Sequence, residues 1–317
     1  MKYELKKKKR SKLIYILPIS FITACIIVCL IVMNIFGFGK SGGEQKAADA
    51  KTETTESQTE SATETTTVPQ NEHTNPKNAK EAEALEASSE NRVYLTFDDG
   101  PSANTDEILD ILKKNNIKAT FFILKSDDPK SIARMKRMYD ERHTVAMHSV
   151  SHEYPLVYAD LPAYKEDVDG IKTFIDDTLG IDCKFYRFPG GSSNTIYKHY
   201  GISDIHECID YLDSRGIKYF DWNISNSDSE NKKYSPAELA ANVEEYIGDT
   251  GVYNVLQHDA PAKKNTVQSL QIIIDDLKAK GYTFCQITDN TVPVHHHISY
   301  FSKHIVRRMY NMLFILQ

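Results

Sequence analysis

Five cysteines among 317 residues, two of them inside one apolar run, are too few and too scattered for a disulfide scaffold or a cysteine-based zinc site. Basic charge is scarce where a nucleic acid would need it. Of 38 Lys/Arg and 44 Asp/Glu, seven basic and one acidic residue fall in residues 1–12, leaving a body of 31 against 43, or −12. Phosphate-backbone binding needs Lys and Arg clustered on the folded domain, so no nucleic-acid partner is expected. No Gly-rich phosphate loop follows the first β-like run, which counts against a nucleotide-binding sheet. Aromatic residues are missing altogether from residues 39–90, a stretch dominated by Thr, Ser, Glu and Ala. Such a segment cannot bury enough apolar surface to offset the entropy of ordering it, and it reads as a disordered stalk. Within it only Asn78 to Ser88, with Ala and Glu alternating around Leu85, suggests a short helix.

Formal charge is also absent from Leu13 to Phe38, 26 residues that are long enough to cross the ~30 Å hydrocarbon core with some tilt. Lys6, Lys7, Lys8, Lys9, Arg10 and Lys12 precede this run, so the positive-inside rule keeps residues 1–12 cytoplasmic and exports the chain beyond Lys40. Residues 13–38 are therefore read as a single-pass signal anchor in the lipid bilayer of a cell membrane. A cleaved signal peptide is the alternative, but its apolar region is usually ~7–15 residues.

From Arg92 short β-rich runs alternate with helical periods. Seven strands are expected: Arg92–Phe97, Ala119–Leu124, His143–His148, Cys183–Phe188, Ile217–Trp222, Val252–Gln257 and Tyr282–Ile287. Helix-like stretches lie between them at Asp106–Asn115, Pro129–Arg142, Ala163–Leu179, Pro236–Ile247 and Val267–Lys280. Repeated βα alternation implies a parallel sheet, and seven units in about 200 residues suit a distorted (β/α)7-type barrel better than an open doubly wound sheet. The folded domain is bounded at 91–292, leaving 293–317 as a C-terminal tail.

In parallel barrels, chemistry sits where strands end and loops begin. Five of the expected strands deliver ionisable residues there: Asp98-Asp99-Gly100-Pro101, His148-Ser149-Val150-Ser151-His152, Arg187-Phe188-Pro189-Gly190-Gly191, Asp221-Trp222 and Leu256-Gln257-His258. Each has a bland reading alone: a turn, a chance pair of histidines, a surface ion pair, a core tryptophan. Together at one rim they do not.

This ordered set resembles the NodB-type polysaccharide deacetylases, carbohydrate esterase family 4, over about residues 91–291. Within that family the chain looks most like the membrane-anchored peptidoglycan N-acetylglucosamine deacetylases. The resemblance implies a hydrolase that removes acetyl groups from a polysaccharide with a metal-activated water. Asp99, His148 and His152 would ligate one divalent ion, Zn2+ by default, with Co2+ or Ni2+ also suited to the donors. Asp98 would be the general base, held apart from the ion because neighbours on a strand point to opposite sides. Arg187 would orient Asp98, the Gly190 N–H would serve the oxyanion, and His258 would be the general acid, held and charged by Asp221. Trp222, Pro189 and Leu256 would contact substrate. The sequence departs from the family pattern at Lys218, where an additional Asp is usual, and at Gln257, where an apolar residue is usual. Neither departure touches a residue expected to do chemistry.

The tether favours peptidoglycan of a Gram-positive-type cell, outside the membrane, as the substrate. Other polysaccharides (an exopolysaccharide, chitin oligomers, acetylxylan ester) and an inactive sugar-binding module are the rival readings. A glycosidase is disfavoured, since adjacent Asp98 and Asp99 cannot flank a glycosidic bond at ~5 Å or more. Cys183, Cys208 and Cys285 allow at most one disulfide, and His295-His296-His297 reads as a surface segment. Ile298–Gln317 is either an interfacial helix or a packing element. No oligomeric state is implied.

Overall fold

The structure is a computed structural model that describes residues 74–298. The expected cytoplasmic segment, the anchor 13–38, most of the stalk and the tail beyond 298 lie outside those residues. Among the described residues no helix is long and apolar enough to cross a membrane.

Eight parallel strands form one sheet: β1 Arg92–Asp98, β2 Thr120–Leu124, β3 Thr144–Ser149, β4 Phe185–Tyr186, β5 Lys218–Tyr219, β6 Ile224–Ser225, β7 Val252–His258 and β8 Thr283–Cys285. Their order is β5-β4-β3-β2-β1-β7-β6. β8 joins the N-terminal half of β1, at Arg92 to Tyr94, while β2 pairs with Thr96 to Asp98. The result is the curled parallel α/β sheet expected from the βα alternation, with β5 and β6 as the two ends of its path. All seven expected strands are present. β6 was not expected, because two residues carry no readable periodicity.

The helices are α1 Ala79–Ala87, α2 Ala103–Asn115, α3 Pro129–Asp140, α4 Tyr154–Val157, α5 Leu161–Leu179, α6 Ile205–Ser214, α7 Pro236–Tyr246 and α8 Lys264–Ala279. Their starts are chemically explicit. Ser102 and Ser235 make capping boxes with Thr105 and Glu238, and Asp128 and Asp160 accept from Ser131 N and Ala163 N just before a Pro in the first turn.

Burial on both faces fixes which strand residues look inward. Val93, Leu95 and Phe97 of β1 join the large core beneath the helices, whereas Tyr94 belongs to a second cluster with Phe122, Ala146, Phe185, Phe220, Cys285 and Ile287 inside the curl. By the two-residue period, Thr96 and Asp98 fall on the inner side with Tyr94, His148 with Ala146, and Arg187 with Phe185. Among the described residues the cysteines are Cys183, Cys208 and Cys285, all buried free thiols, so none of these three forms a disulfide.

The stalk boundary at residue 90 is corrected. From Thr74 onward the chain folds onto the domain. Asn75 Nδ2 donates to Val145 O at 2.7 Å, and Gln286 donates to Asn78 at 2.9 Å. α1 forms within the Asn78–Ser88 segment that suggested it. Its Glu86 is buried and accepts from Thr288 Oγ1 at 3.1 Å and Thr291 Oγ1 at 2.8 Å. Composition missed this because a few polar contacts, with the buried Glu86 carboxylate among them, rather than a large apolar area, hold the segment. Glu86→Ala should therefore destabilise the domain by about 2–3 kcal/mol, the cost of stranding buried hydroxyls beside a lost charged acceptor. A urea midpoint equal to wild type would refute this account of the docking.

Candidate active site

Arg187 sits at the centre of the curl with no solvent exposure. All five of its N–H groups are used: Nε to Phe220 O, Nη1 to Thr96 Oγ1 and Asp98 Oδ1, Nη2 to Asp221 O and Asn254 Oδ1, at 2.8–3.1 Å. Its guanidinium lies 4.1 Å from the Phe122 ring centroid. Asp98 Oδ1 is thus pinned, and its Oδ2 faces His148 Nε2 at 4.0 Å.

β1 ends at Asp98, and Asp99 adopts a left-handed backbone with φ 73. That turn cancels the alternation expected for adjacent residues, so both carboxylates reach the same cleft. Asp99 Oδ1 stands 3.4 Å from His148 Nε2 and 3.5 Å from His152 Nε2. The turn is close-packed. A Cβ on Gly100 would lie 2.1 Å from Asp259 Oδ2. Burial, with the Asp98 and Asp99 charges adding to it, pushes the Asp259 carboxyl up to about 7 against the opposing Thr105 hydrogen bond.

The donor set fits a divalent cation. Asp99 Oδ1 is buried with no hydrogen-bond partner, although burial alone is costly for a carboxylate. His148 Nδ1 lies 2.8 Å from Arg187 O and donates to it, which leaves Nε2, facing Asp99, as the nitrogen that would bind an ion when the ring is neutral. Without an ion, burial alone would depress the imidazole pKa, but the Asp99 hydrogen bond and the Asp98 and Asp99 charges raise it. His152, also left-handed at φ 58, is held by its own N–H, which donates to Ser149 Oγ at 2.9 Å. Ser149 Oγ in turn donates to the buried Asp167 at 3.0 Å. Ligand atoms of Asp99, His148 and His152 all lie within 4.8 Å of one another. Three ligands leave positions open for water and substrate.

Across the cleft, His258 pairs in register with Asp98 on the adjacent strand. Its partner is not Asp221. His258 Nδ1 lies 2.6 Å from Asp228 Oδ1, and its backbone N–H donates to Asp228 Oδ2 at 2.9 Å. Thr266 Oγ1 donates to that Oδ2 as well, at 2.6 Å. Burial by itself would depress the imidazole pKa, but the Asp228 hydrogen bond and the Asp228, Asp98 and Asp99 charges push it up to about 9. Asp228 lies in Ser225-Asn226-Ser227-Asp228, a polar cluster that reads as a turn, and nothing in its spacing marked it. The strand that brings it beside β7 is the two-residue β6, which the sequence does not show, so no signal pointed to it.

Asp221 instead accepts from Ser192 N and His296 N, each at 2.8 Å, and from Ser192 Oγ. Gly190 and Gly191 take φ of +78 and +83, and a Cβ on Gly190 would lie 2.2 Å from Asn194 Nδ2, so this loop requires glycine. Pro189 O accepts from Tyr158 Oη at 3.1 Å. Trp222 is half-buried, with its ring 5.7 Å from Arg187 Cζ, while Leu256 is buried on the β7 face that carries His258. His295 and His297 are exposed, as expected of a surface segment, and the segment also packs on the residues around the end of β5. His295 stacks on Tyr219 at 3.8 Å and His296 meets Trp222 edge-on at 4.6 Å.

Residues 86–202 match the family profile of polysaccharide deacetylases. YheN of Bacillus subtilis is 35% identical over 207 residues, spanning 64% of this chain and 69% of YheN. The chain belongs to the polysaccharide deacetylase family. The peptidoglycan-N-acetylglucosamine deacetylase PgdA of Listeria monocytogenes is 32% identical over 68% of this chain, but only 42% of PgdA is spanned. The catalytic domain of a peptidoglycan N-acetylglucosamine deacetylase from Eubacterium rectale superposes with a TM-score of 0.63 at 36% identity, covering 67% of this chain and 94% of that domain. The chain is accordingly a hydrolase of this family, similar to its peptidoglycan N-acetylglucosamine deacetylases.

The Asp228–His258 pair makes a pH prediction for the metal-free protein. Folding raises the imidazole pKa from its ordinary 6.5 to about 9, so the pair's stabilisation is complete below pH 6.5 and is lost as pH rises through about 9. The full effect is on the order of 3 kcal/mol. Unfolding free energies between pH 6 and 10 should show this decline in wild type and not in Asp228→Asn; parallel curves would reject the pairing.

Proposed function

We propose that this protein hydrolyses the N-acetyl groups of N-acetylglucosamine residues in cell-wall peptidoglycan, from a membrane-anchored position outside the cell. The observation that carries the reading is one cleft with a carboxylate-histidine-histidine cluster, an Arg-fixed carboxylate beside it, and a charged histidine opposite. Similarity to the Listeria and Eubacterium proteins supports the substrate.

Asp99, His148 and His152 would hold the divalent ion, Zn2+ first among Zn2+, Co2+ and Ni2+. When bound, such an ion polarises the acetyl carbonyl and makes water acidic enough to be deprotonated near neutral pH. Asp98, with Oδ1 fixed by Arg187, takes the water proton on Oδ2. The water oxygen forms the new bond to the carbonyl carbon, and the Gly190 N–H donates to the oxygen on which negative charge develops. His258, with Nδ1 occupied by Asp228, gives its Nε2 proton to the amide nitrogen as the carbon–nitrogen bond breaks. Acetate and a glucosamine amine result. Trp222 lines the side of the cleft that the acetyl methyl would meet.

The charged run 2–12 and the apolar run 13–38 support the anchor, and residues 39–73 would be the spacer. If flexible, roughly 35 residues reach about 30–35 Å in the root-mean-square sense. A self-wall polymer at the membrane suits that tether, and a foreign glycan gains nothing from it.

On an N-acetylglucosamine oligomer, chelation should abolish turnover and a divalent ion should restore it. Asp98→Asn should still bind the ion, by calorimetry, yet lose at least about 100-fold in kcat. His258→Ala should lose far more activity on the amide than on an aryl acetate, whose leaving group needs little protonation. Equal losses on both would count against the acid assignment. In cells, deleting the gene or introducing Asp98→Asn should raise the fraction of acetylated glucosamine in muropeptides measured by mass spectrometry. An unchanged profile with confirmed expression would move the substrate to another polysaccharide.

A further inference from the structure

The segment after β8 returns across the outer end of the sheet and is bonded to residues that come after β5. Asp221 N donates to Val294 O at 2.8 Å. His295 stacks on Tyr219, with Nε2 3.1 Å from Tyr219 O. Besides its ring contact with Trp222 and the approach of its Nδ1 to Asp221 Oδ1 at 3.7 Å, His296 makes three hydrogen-bond contacts. Its backbone N–H donates to Asp221 Oδ2, its Nε2 lies 2.8 Å from Trp222 O, and its Nδ1 lies 3.1 Å from Ser193 Oγ. A carbonyl can only accept, so Nε2 carries the ring proton toward Trp222 O, and Nδ1 accepts from Ser193.

Asp221 is the junction. Its carboxylate is fully buried, and its donors come from two places: the His296 N–H of the returning segment and the N–H and hydroxyl of Ser192. A buried anion that loses one of these donors is left undersatisfied, so the loop carrying Ser192 and the returning segment hold each other. Ser192 lies two residues after Gly190. The other end of the loop is held by Tyr158 Oη on Pro189 O, and Gly191 N closes onto Phe188 O at 2.8 Å.

We propose that Val294–His296 is a clamp that, through Asp221, Ser192 and Ser193, sets the position of the Gly190 N–H. Asp221, Ser192 and His296 are then positioning residues rather than catalytic ones. The sequence placed Asp221 at the general acid, and the structure assigns it to the oxyanion side of the reaction. This inference rests on the function proposed above for its kinetic readout only.

The two halves of the reaction separate the roles. An oxyanion forms whether the leaving group is an amine or an aryl oxide, so loosening the Gly190 loop slows both substrates alike, unlike loss of the acid. In the full-length chain, Ser192→Ala and His296→Ala should each lower kcat about 10- to 100-fold on both an N-acetylglucosamine oligomer and an aryl acetate, with KM within about twofold. His296→Ala keeps the backbone N–H to Asp221 and removes the ring's bonds to Ser193 Oγ and Trp222 O, while Ser192→Ala removes a bond to Asp221. Because both restrain the same loop, the double variant should lose less than the product of the single losses. Hydrogen–deuterium exchange over residues 188–194 should speed up in His296→Ala, although the substitution lies about a hundred residues away in sequence.

Unchanged exchange over 188–194, or a loss confined to the amide, would overturn the clamp. Ser192→Ala removes only a hydroxyl and decides the matter if His296→Ala does not fold. A wild-type protein with faster exchange in the variants but no deacetylase activity would sink the proposed function and leave the clamp standing.

Discussion

A single buried guanidinium organises the interior. Arg187 reaches across the curl and ties the end of β1, the residues after β5 and Asn254 of β7 to one cation. Taking a charge of this kind out of water costs several kcal/mol, and only complete hydrogen bonding with an opposite charge beside it offsets that cost. All five donors are met, and Asp98 supplies the charge. The same bonds that make the cation tolerable also fix the Asp98 carboxylate and, through the carbonyl of Arg187, the ring of His148. Stability and catalytic geometry are therefore one set of contacts here. Replacing the cation would disturb the Asp98 carboxylate and the His148 ring together.

Around that centre, the working groups are aimed by departures from regular structure. Asp99 and His152 both sit in the left-handed region, which side chains with a Cβ enter at a cost. The cost is met locally: Gly100 is packed on Asp259, and Ser149 with Asp167 holds the loop before His152. Regular strand geometry would have sent Asp99 away from His148. The left-handed turn is what lets one short stretch of chain supply two carboxylates to one cleft, Asp98 held by Arg187 and Asp99 facing the two histidines.

Much of this was readable from residue order. Residue order put Asp98, His148, Arg187 and His258 at the ends of parallel strands, where one rim gathers them. Their shared inner face became visible only in the structure, because a sheet buried on both sides leaves no polar-outward alternation to read. The grouping of Asp99, His148 and His152 was implied by the family resemblance, with the four-residue spacing of the two histidines in keeping with it, and it is the cluster found. What escaped has physical reasons. Asp228 comes after a two-residue strand and looks like turn chemistry, while Asp221 has the more conspicuous neighbour in the lone tryptophan. The helices around Ile205–Ser214 and Tyr154–Val157 are short, and the latter carries a proline. The 294–296 segment has no periodicity, so only its long-range bonds reveal it. Glu86 illustrates the same limit: a docking carboxylate inside a Glu-rich stretch cannot be told from its solvated neighbours.

The docking of α1 also fixes where a pull on the domain is felt. Asn75 bonds beside the start of β3, the carbonyl of Glu86 accepts from Arg92 at the start of β1, and Asn78 and Glu86 meet the residues just after β8. All of these lie toward the end of the sheet opposite the cleft, about 20 Å away along a seven-residue strand. The chain thus enters at the back of the sheet and presents its cleft forward. Tension arriving through Thr74 would be taken up by α1 and the strand starts, in the manner of a handle fixed to the rear of a tool, and the loops that carry Asp99, Gly190 and His258 would stay out of the line of force.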